Sequence, residues 1–148
     1  MTDQLHNLPA IYGASRASIP ERPKMWKQLK EEGANIISSW INESRVGETL
    51  NFSELWTRIV TEIILCDRLI LYVEKTDFPL KGALVEVGIA LGLGKPVFIV
   101  CNDITLSNRD LKPLGSWAKH PHIKFCSDIR EACGIYPLKM DLRGKNEK

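Results

Sequence analysis

Residues 68–101 read RLILYVEKTDFPLKGALVEVGIALGLGKPVFIVC. The run Arg68 to Val73 is apolar without the alternation of a half-exposed strand, the pattern of a central strand covered on both faces. A loop with Pro79 and Lys81 follows, and Gly82 to Leu93 reads as a helix ended by Gly94-Lys95. Pro96 then opens a second apolar strand, PVFIVC. Strand, helix and strand in this order make a parallel unit, because parallel neighbours need a long crossover connection.

The same alternation extends outward. Toward the N-terminus, Pro9 to Ala14 (PAIYGA) predicts a strand, Ser15 to Ser18 a polar loop, and Pro20 to Glu32 a helix closed by Gly33. Ala34 to Trp40 predicts a second strand. After a loop containing Gly47, a helix is expected from Glu54 to Leu65, capped by Asn51 or Ser53. Toward the C-terminus, a long connection over 103–120 carries one helical turn. A short strand, His122 to Cys126, precedes a last helix capped by Ser127. The expected fold is α/β: a single-domain doubly wound (flavodoxin/Rossmann-like) five-stranded parallel sheet with helices on both faces. The domain is expected over 1–140, with a charged tail at 141–148.

Bulk properties narrow the function. The chain has 148 residues and a net charge of +2. It is long enough for one core and lacks the basic footprint of a nucleic-acid polymer binder. No apolar stretch reaches membrane-spanning length, and the N-terminus MTDQLHNLPA has no signal-peptide pattern, so a cytoplasmic protein is expected. Cys66, Cys101, Cys126 and Cys133 form no C-x-x-C pair, which argues against zinc and for buried reduced thiols.

Within GALVEVGIALGLG (82–94) the one charge is Glu86. A helix apolar all round is buried, so this carboxylate is expected in or at the edge of the core, where an ion needs compensation or a shifted pKa. Its place near the helix start offers some compensation through the dipole. Two readings stand open: a structural carboxylate paired with an arginine or capping amides, or a desolvated reactive group on a pocket floor. After the first strand, Gly13 allows close backbone approach, and Ser15, Arg16 and Ser18 supply donors near a helix N-terminus, a candidate phosphate cradle. Glu54, Arg58 and Glu62 share one helix face, either as a solvated ion-pair stripe or as a site. Trp40 and Trp56 either stack a base or belong to the core.

The segments IYGAS, DRLILY and GALVEVGIALGLGKPV resemble the nucleoside 2-deoxyribosyltransferase-like superfamily, which includes nucleoside deoxyribosyltransferases and 2′-deoxynucleoside 5′-phosphate N-hydrolases. The resemblance covers residues 9 to 101 and is most specific at G-x-x-x-E-x-G-x-A followed by G-K-P-V. It implies that Glu86, the glutamate of a motif begun by Gly82, is the nucleophile at C1′ of the sugar. It implies that Tyr12 positions that carboxylate or the sugar, and that Ser15, Arg16 and Ser18 hold a 5′-phosphate. One departure is marked: the position of the family's helix aspartate, which assists the leaving base, is Ile59 here. Glu62 or Glu54 is the expected replacement.

The resemblance thus implies an N-glycosidase cleaving the base–sugar bond of a (deoxy)nucleoside 5′-monophosphate. The alternatives are a deoxyribosyltransferase and a non-catalytic nucleotide sensor or sponge, the latter favoured by Ile59. No metal or organic cofactor is required. A homodimer or higher homo-oligomer is expected, with Trp117 to His122 completing the pocket across the interface and His120 or His122 as minor phosphate contacts.

Overall fold

Five parallel strands form one sheet in the computed structural model, which describes residues 8–135. The expected tail at 141–148 and the outer ends of the expected domain lie outside the described residues. In chain order the elements are β1 (Ala10–Ala14), α1 (Glu21–Glu31), β2 (Asn35–Ile36), α2 (Phe52–Leu65), β3 (Arg68–Tyr72), α3 (Gly82–Gly92), β4 (Val97–Val100), β5 (Ile123–Phe125) and α4 (Ile129–Ala132). The strand order is β2-β1-β3-β4-β5, the flavodoxin-like doubly wound arrangement expected from the sequence. It reverses between β1 and β3, whose registers pair Tyr12 with Leu69 and Gly13 with Ile70.

Right-handed crossovers place α1 on one face and α2 and α3 on the other. The packing agrees: α2 lies against α3, and α4 returns to the α1 side, where Arg130 Nε meets Glu32 Oε1 at 2.7 Å. The strands are apolar because both faces are covered, and Ile11, Leu69, Ile70, Leu71 and Ile99 have no exposed surface. The long connection before β5 carries a single 3-10 turn, Ser116–Lys119.

Several local features differ from the sequence reading. The second strand does not run to Trp40; it ends at Ile36, and Ser39–Asn42 forms a 3-10 turn. The cause lies in β1, where Gly13 offers an N–H and a C=O toward this edge. Ser38 Oγ accepts from Gly13 N at 3.0 Å, and Trp40 Nε1 donates to Gly13 O at 2.8 Å. Side chains thus take the place of the next ladder bonds. The second long helix begins at Phe52, not Glu54, with Asn51 accepting from Glu54 N at 3.0 Å. Asp128, rather than Ser127, caps α4. The helix around Glu86 is buried on one side only, since Leu84, Val85 and Leu93 are 42–55% exposed. All four cysteines are free; Cys66 and Cys133 are buried, and Cys101 and Cys126 are half-buried.

Gly13 has a packing role. A Cβ there would lie 2.6 Å from Trp26 Cδ2, and Trp26 is fully buried. The indole therefore occupies the space that a side chain would need, and Trp26 Nε1 donates to Ser15 Oγ at 2.8 Å. We expect Gly13→Ala to destabilise the fold by about 1–3 kcal/mol through overpacking, read as a lower urea midpoint with an unchanged m-value. An unchanged midpoint would mean that the indole has room to move.

Candidate active site

In an open α/β sheet, ligands bind beyond the carboxyl ends of the strands where the order reverses. At that point, between β1 and β3, lies a cavity of about 270 Å³. It is built from the loop after β1 (Ser15 to Ser18), Trp40 after β2, one side of α2, and the start of α3 from Leu80 to Glu86. Most of its wall is apolar: Phe52, Leu55, Trp56 and Ile59 come from α2 alone.

Glu86 is the buried carboxylate of this cavity, 6% exposed. It is the fifth residue of α3, past the first turn where free N–H groups would receive it. No arginine or lysine forms an ion pair with it among the described residues. Neither compensation envisaged from the sequence, helix start or arginine, is therefore present. Burial accordingly dominates and pushes the carboxyl up to about 8, opposed by the Tyr12 hydroxyl and reinforced by the charge of Glu62. The dipole relief expected from a place near the helix start is therefore not what sets this group's ionisation; burial is.

Tyr12 lies behind this carboxyl. Its hydroxyl is buried without a hydrogen bond of good geometry, yet it is close enough to Glu86 that each perturbs the other's ionisation. Burial first, then Glu86 and Glu62, drive the phenol far above its ordinary range, so it stays protonated and keeps its O–H available to donate. The hydroxyl is poised to hydrogen-bond a carboxylate once one forms.

The remaining expected residues separate into two groups. Ser15, Arg16, Ser18, Trp40 and Gly82 line the cavity with Glu86. Arg16 donates through Nε to Ser18 Oγ (3.2 Å) and through Nη1 to the carbonyls of Asp77 and Phe78 (3.4 and 3.3 Å). It has no carboxylate partner among the described residues, so its charge is aimed but not neutralised. Trp40 is core, presenting only part of its surface, whereas Trp56 is half-buried beside Gly82. Gly13 does not line the cavity; its bareness serves Trp26.

Glu54 and Glu62 do not line the cavity either. Arg58 holds Glu54 on the solvent side through paired contacts of 3.0 and 3.1 Å. Glu62 accepts from Ser39 N (3.1 Å) and Ser39 Oγ (2.6 Å), while Arg58 also donates to that hydroxyl at 2.7 Å. The place expected for the family aspartate is on the cavity wall, and Ile59 fills it. His120 and His122 lie away from the cavity on the chain's far edge, His122 N donating to His120 Nδ1.

Sequence reasoning missed Lys81, which lines the cavity at the cap of α3 with a left-handed φ of 56°. Such backbone strain in a non-glycine residue concentrates at ligand sites. The loop that carries it is fixed from below. Arg22 binds Asp77 through two contacts of 2.9 and 2.7 Å, both side chains buried, with Glu74 3.3 Å away.

Comparison with known families places this geometry. The family model described as nucleoside 2-deoxyribosyltransferase matches residues 14–135, a span that includes Arg16, Ser18, Ile59 and Glu86. No curated protein matches the chain. With most of the chain matched, from the end of β1 to α4, the protein belongs to the nucleoside 2-deoxyribosyltransferase family.

Proposed function

We propose that the chain is an N-glycosidase that cleaves the base–sugar bond of 5′-phosphorylated (deoxy)nucleosides, with Glu86 as nucleophile. The observation that carries this is a carboxyl without a counter-ion in a small apolar cavity, with the guanidinium of Arg16 on the same wall. The sugar lies over Glu86, the base against Trp56 and the apolar face of α2, and the phosphate meets Arg16, Ser15 and Ser18.

In the reacting form, a Glu86 carboxylate oxygen bonds to C1′ as the bond from C1′ to the base nitrogen breaks. The base leaves with the electron pair and takes a proton from solvent water. Water then attacks C1′, releasing the carboxylate; a second base in place of water would make the reaction a transfer. Tyr12 donates to the carboxylate and stabilises it. Of the two acids expected from the sequence, Glu62 acts through its field on Glu86 rather than by touching the base. The free cation of Arg16 favours phosphorylated substrates over free nucleosides.

Ile59 favours a second reading, a binding protein without turnover, because an alkyl group stands where a proton donor is expected. The apolar face of α3 supports the expected homodimer: Leu84 and Val85 are exposed on a helix whose one charge is turned inward. Val85→Glu is expected to shift a dimer toward monomer in sedimentation velocity; an unaltered profile would place the contact elsewhere.

The pH dependence carries a definite sign. Only the ionised carboxyl attacks, so base release (kcat/KM on a deoxynucleoside monophosphate) should rise about tenfold per pH unit and level off above about pH 8. Tyr12→Phe should move that limb to higher pH. A rate that falls across the same range would assign Glu86 as the acid that protonates the base. Arg16→Ala should raise KM for the monophosphate about ten- to a hundredfold while leaving the free nucleoside within about twofold.

Stability should move oppositely to activity in Glu86→Gln. A carboxyl kept protonated up to about pH 8 in the fold, but ionising near 4.5 when unfolded, weakens folding as pH rises between those values. The effect is roughly 3 kcal/mol at neutral pH and nothing below the unfolded value. The variant should therefore lose base release and gain stability near pH 7, with little gain at pH 4. Equal melting temperatures at both pH values would show that the carboxyl is not desolvated.

A further inference from the structure

Beside the Glu86 cavity lies a larger hollow of about 530 Å³, and Ala17 and Ser18 form a wall common to both. Three cations line it: Lys24 and Lys27, one turn apart on the exposed side of α1, and Arg45 from the loop before α2. Glu48 is the one carboxylate among its lining residues, and it is engaged by Arg45, from N at 2.9 Å and Nη2 at 3.3 Å. Neither Lys24 nor Lys27 lies within 4 Å of a carboxylate among the described residues, although the charge of Lys27, after the hydrogen bonds from Arg45, helps hold Glu48 ionised. The inner wall is apolar at Pro20, Pro23 and Ile41, while Asn42, Ser44 and the fully exposed Val46 form its rim.

This combination selects the ligand's chemistry. A bare inorganic anion would meet the lysines and leave the apolar wall wet, whereas an uncharged aromatic would leave the lysines unmatched. A nucleotide unit satisfies both, and the volume lies within the usual range for small-molecule sites, about 300–1,000 Å³. The junction at Ser18 is where the reading above puts the 5′-phosphate. We propose that the hollow receives a second nucleotide-like unit joined through that phosphate, so that the substrate is a dinucleotide rather than a simple monophosphate. The proposal rests on the reading above for the place of the bridging phosphate at Ser18 and for which end loses its base.

The test is calorimetry on Glu86→Gln, which blocks turnover. The probes are the four 2′-deoxynucleoside 5′-monophosphates, their symmetric 5′,5′-diphosphates and the 3′,5′-phosphodiester dinucleotides. For at least one base, an extended probe is expected to bind about tenfold tighter than the monophosphate. Whether the pyrophosphate or the phosphodiester series gains identifies the linkage. Adding Lys24→Glu and Lys27→Glu should remove the gain and leave monophosphate affinity within about twofold. Equal affinity of extended and simple probes, a gain that survives charge reversal, or no binding by any probe would overturn the proposal. Base release by the unsubstituted chain is followed in parallel. A gain without release keeps the hollow and removes the glycosidase reading, while release without a gain does the reverse.

Discussion

The site depends on a carboxyl that the fold keeps dry and unpaired. Glu86 projects from an otherwise uncharged helix into a cavity walled by α2, and neither an arginine nor the helix start relieves it. Its neighbours are a phenol held protonated by burial and a second carboxyl, Glu62, whose charge makes ionisation harder still. A buried acid in this state weakens the fold at neutral pH. Such an arrangement is unhelpful to stability and useful to chemistry, because a poorly solvated carboxylate gains most by bonding to an electron-poor carbon.

Charge is separated around that group by a single loop. Residues 74–81 join β3 to α3, and the buried pair of Arg22 and Asp77 anchors them to α1. The carbonyls of Asp77 and Phe78 hold Arg16, and the same loop ends at Lys81, immediately before α3. Arg16 and the helix that carries Glu86 are therefore both referenced to one segment anchored by the buried Arg22–Asp77 pair. Arg22 is paired with carboxylates and is structural, whereas Arg16 meets only neutral oxygens among the described residues. Two arginines six residues apart in sequence thus differ in role because of what the loop offers each.

The sheet was legible in the sequence because its strands are covered on both faces, so Arg68–Tyr72 and Val97–Val100 stand out as apolar runs. Glu86 was legible for the same reason: one charge among apolar residues has few places to go. The end of β2 was not, because it is decided by Ser38 and Trp40 bonding across to Gly13, a contact between segments that local pattern does not encode. Gly13 read as room for a ligand and proved to be room for Trp26. Helical spacing placed Glu54 and Glu62 on one face, but not that Arg58 and Ser39 would hold them out of the cavity. The basic hollow draws its residues from α1 and from the loop before α2, which only the fold brings together.

Ile59 is the residue that most shapes the chemistry left to this cavity. An aspartate at that point would add a second carboxyl to the small space around Glu86, and like charges raise one another's pKa. An isoleucine instead removes a polar group from the wall beside Glu86. On the reading proposed above, a base leaving past Ile59 meets no side-chain acid at that point, and because Glu86 attacks in its ionised form the proton comes from water. On that reading the demand shifts from the protein to the leaving group, favouring bases that depart readily as anions or arrive already protonated.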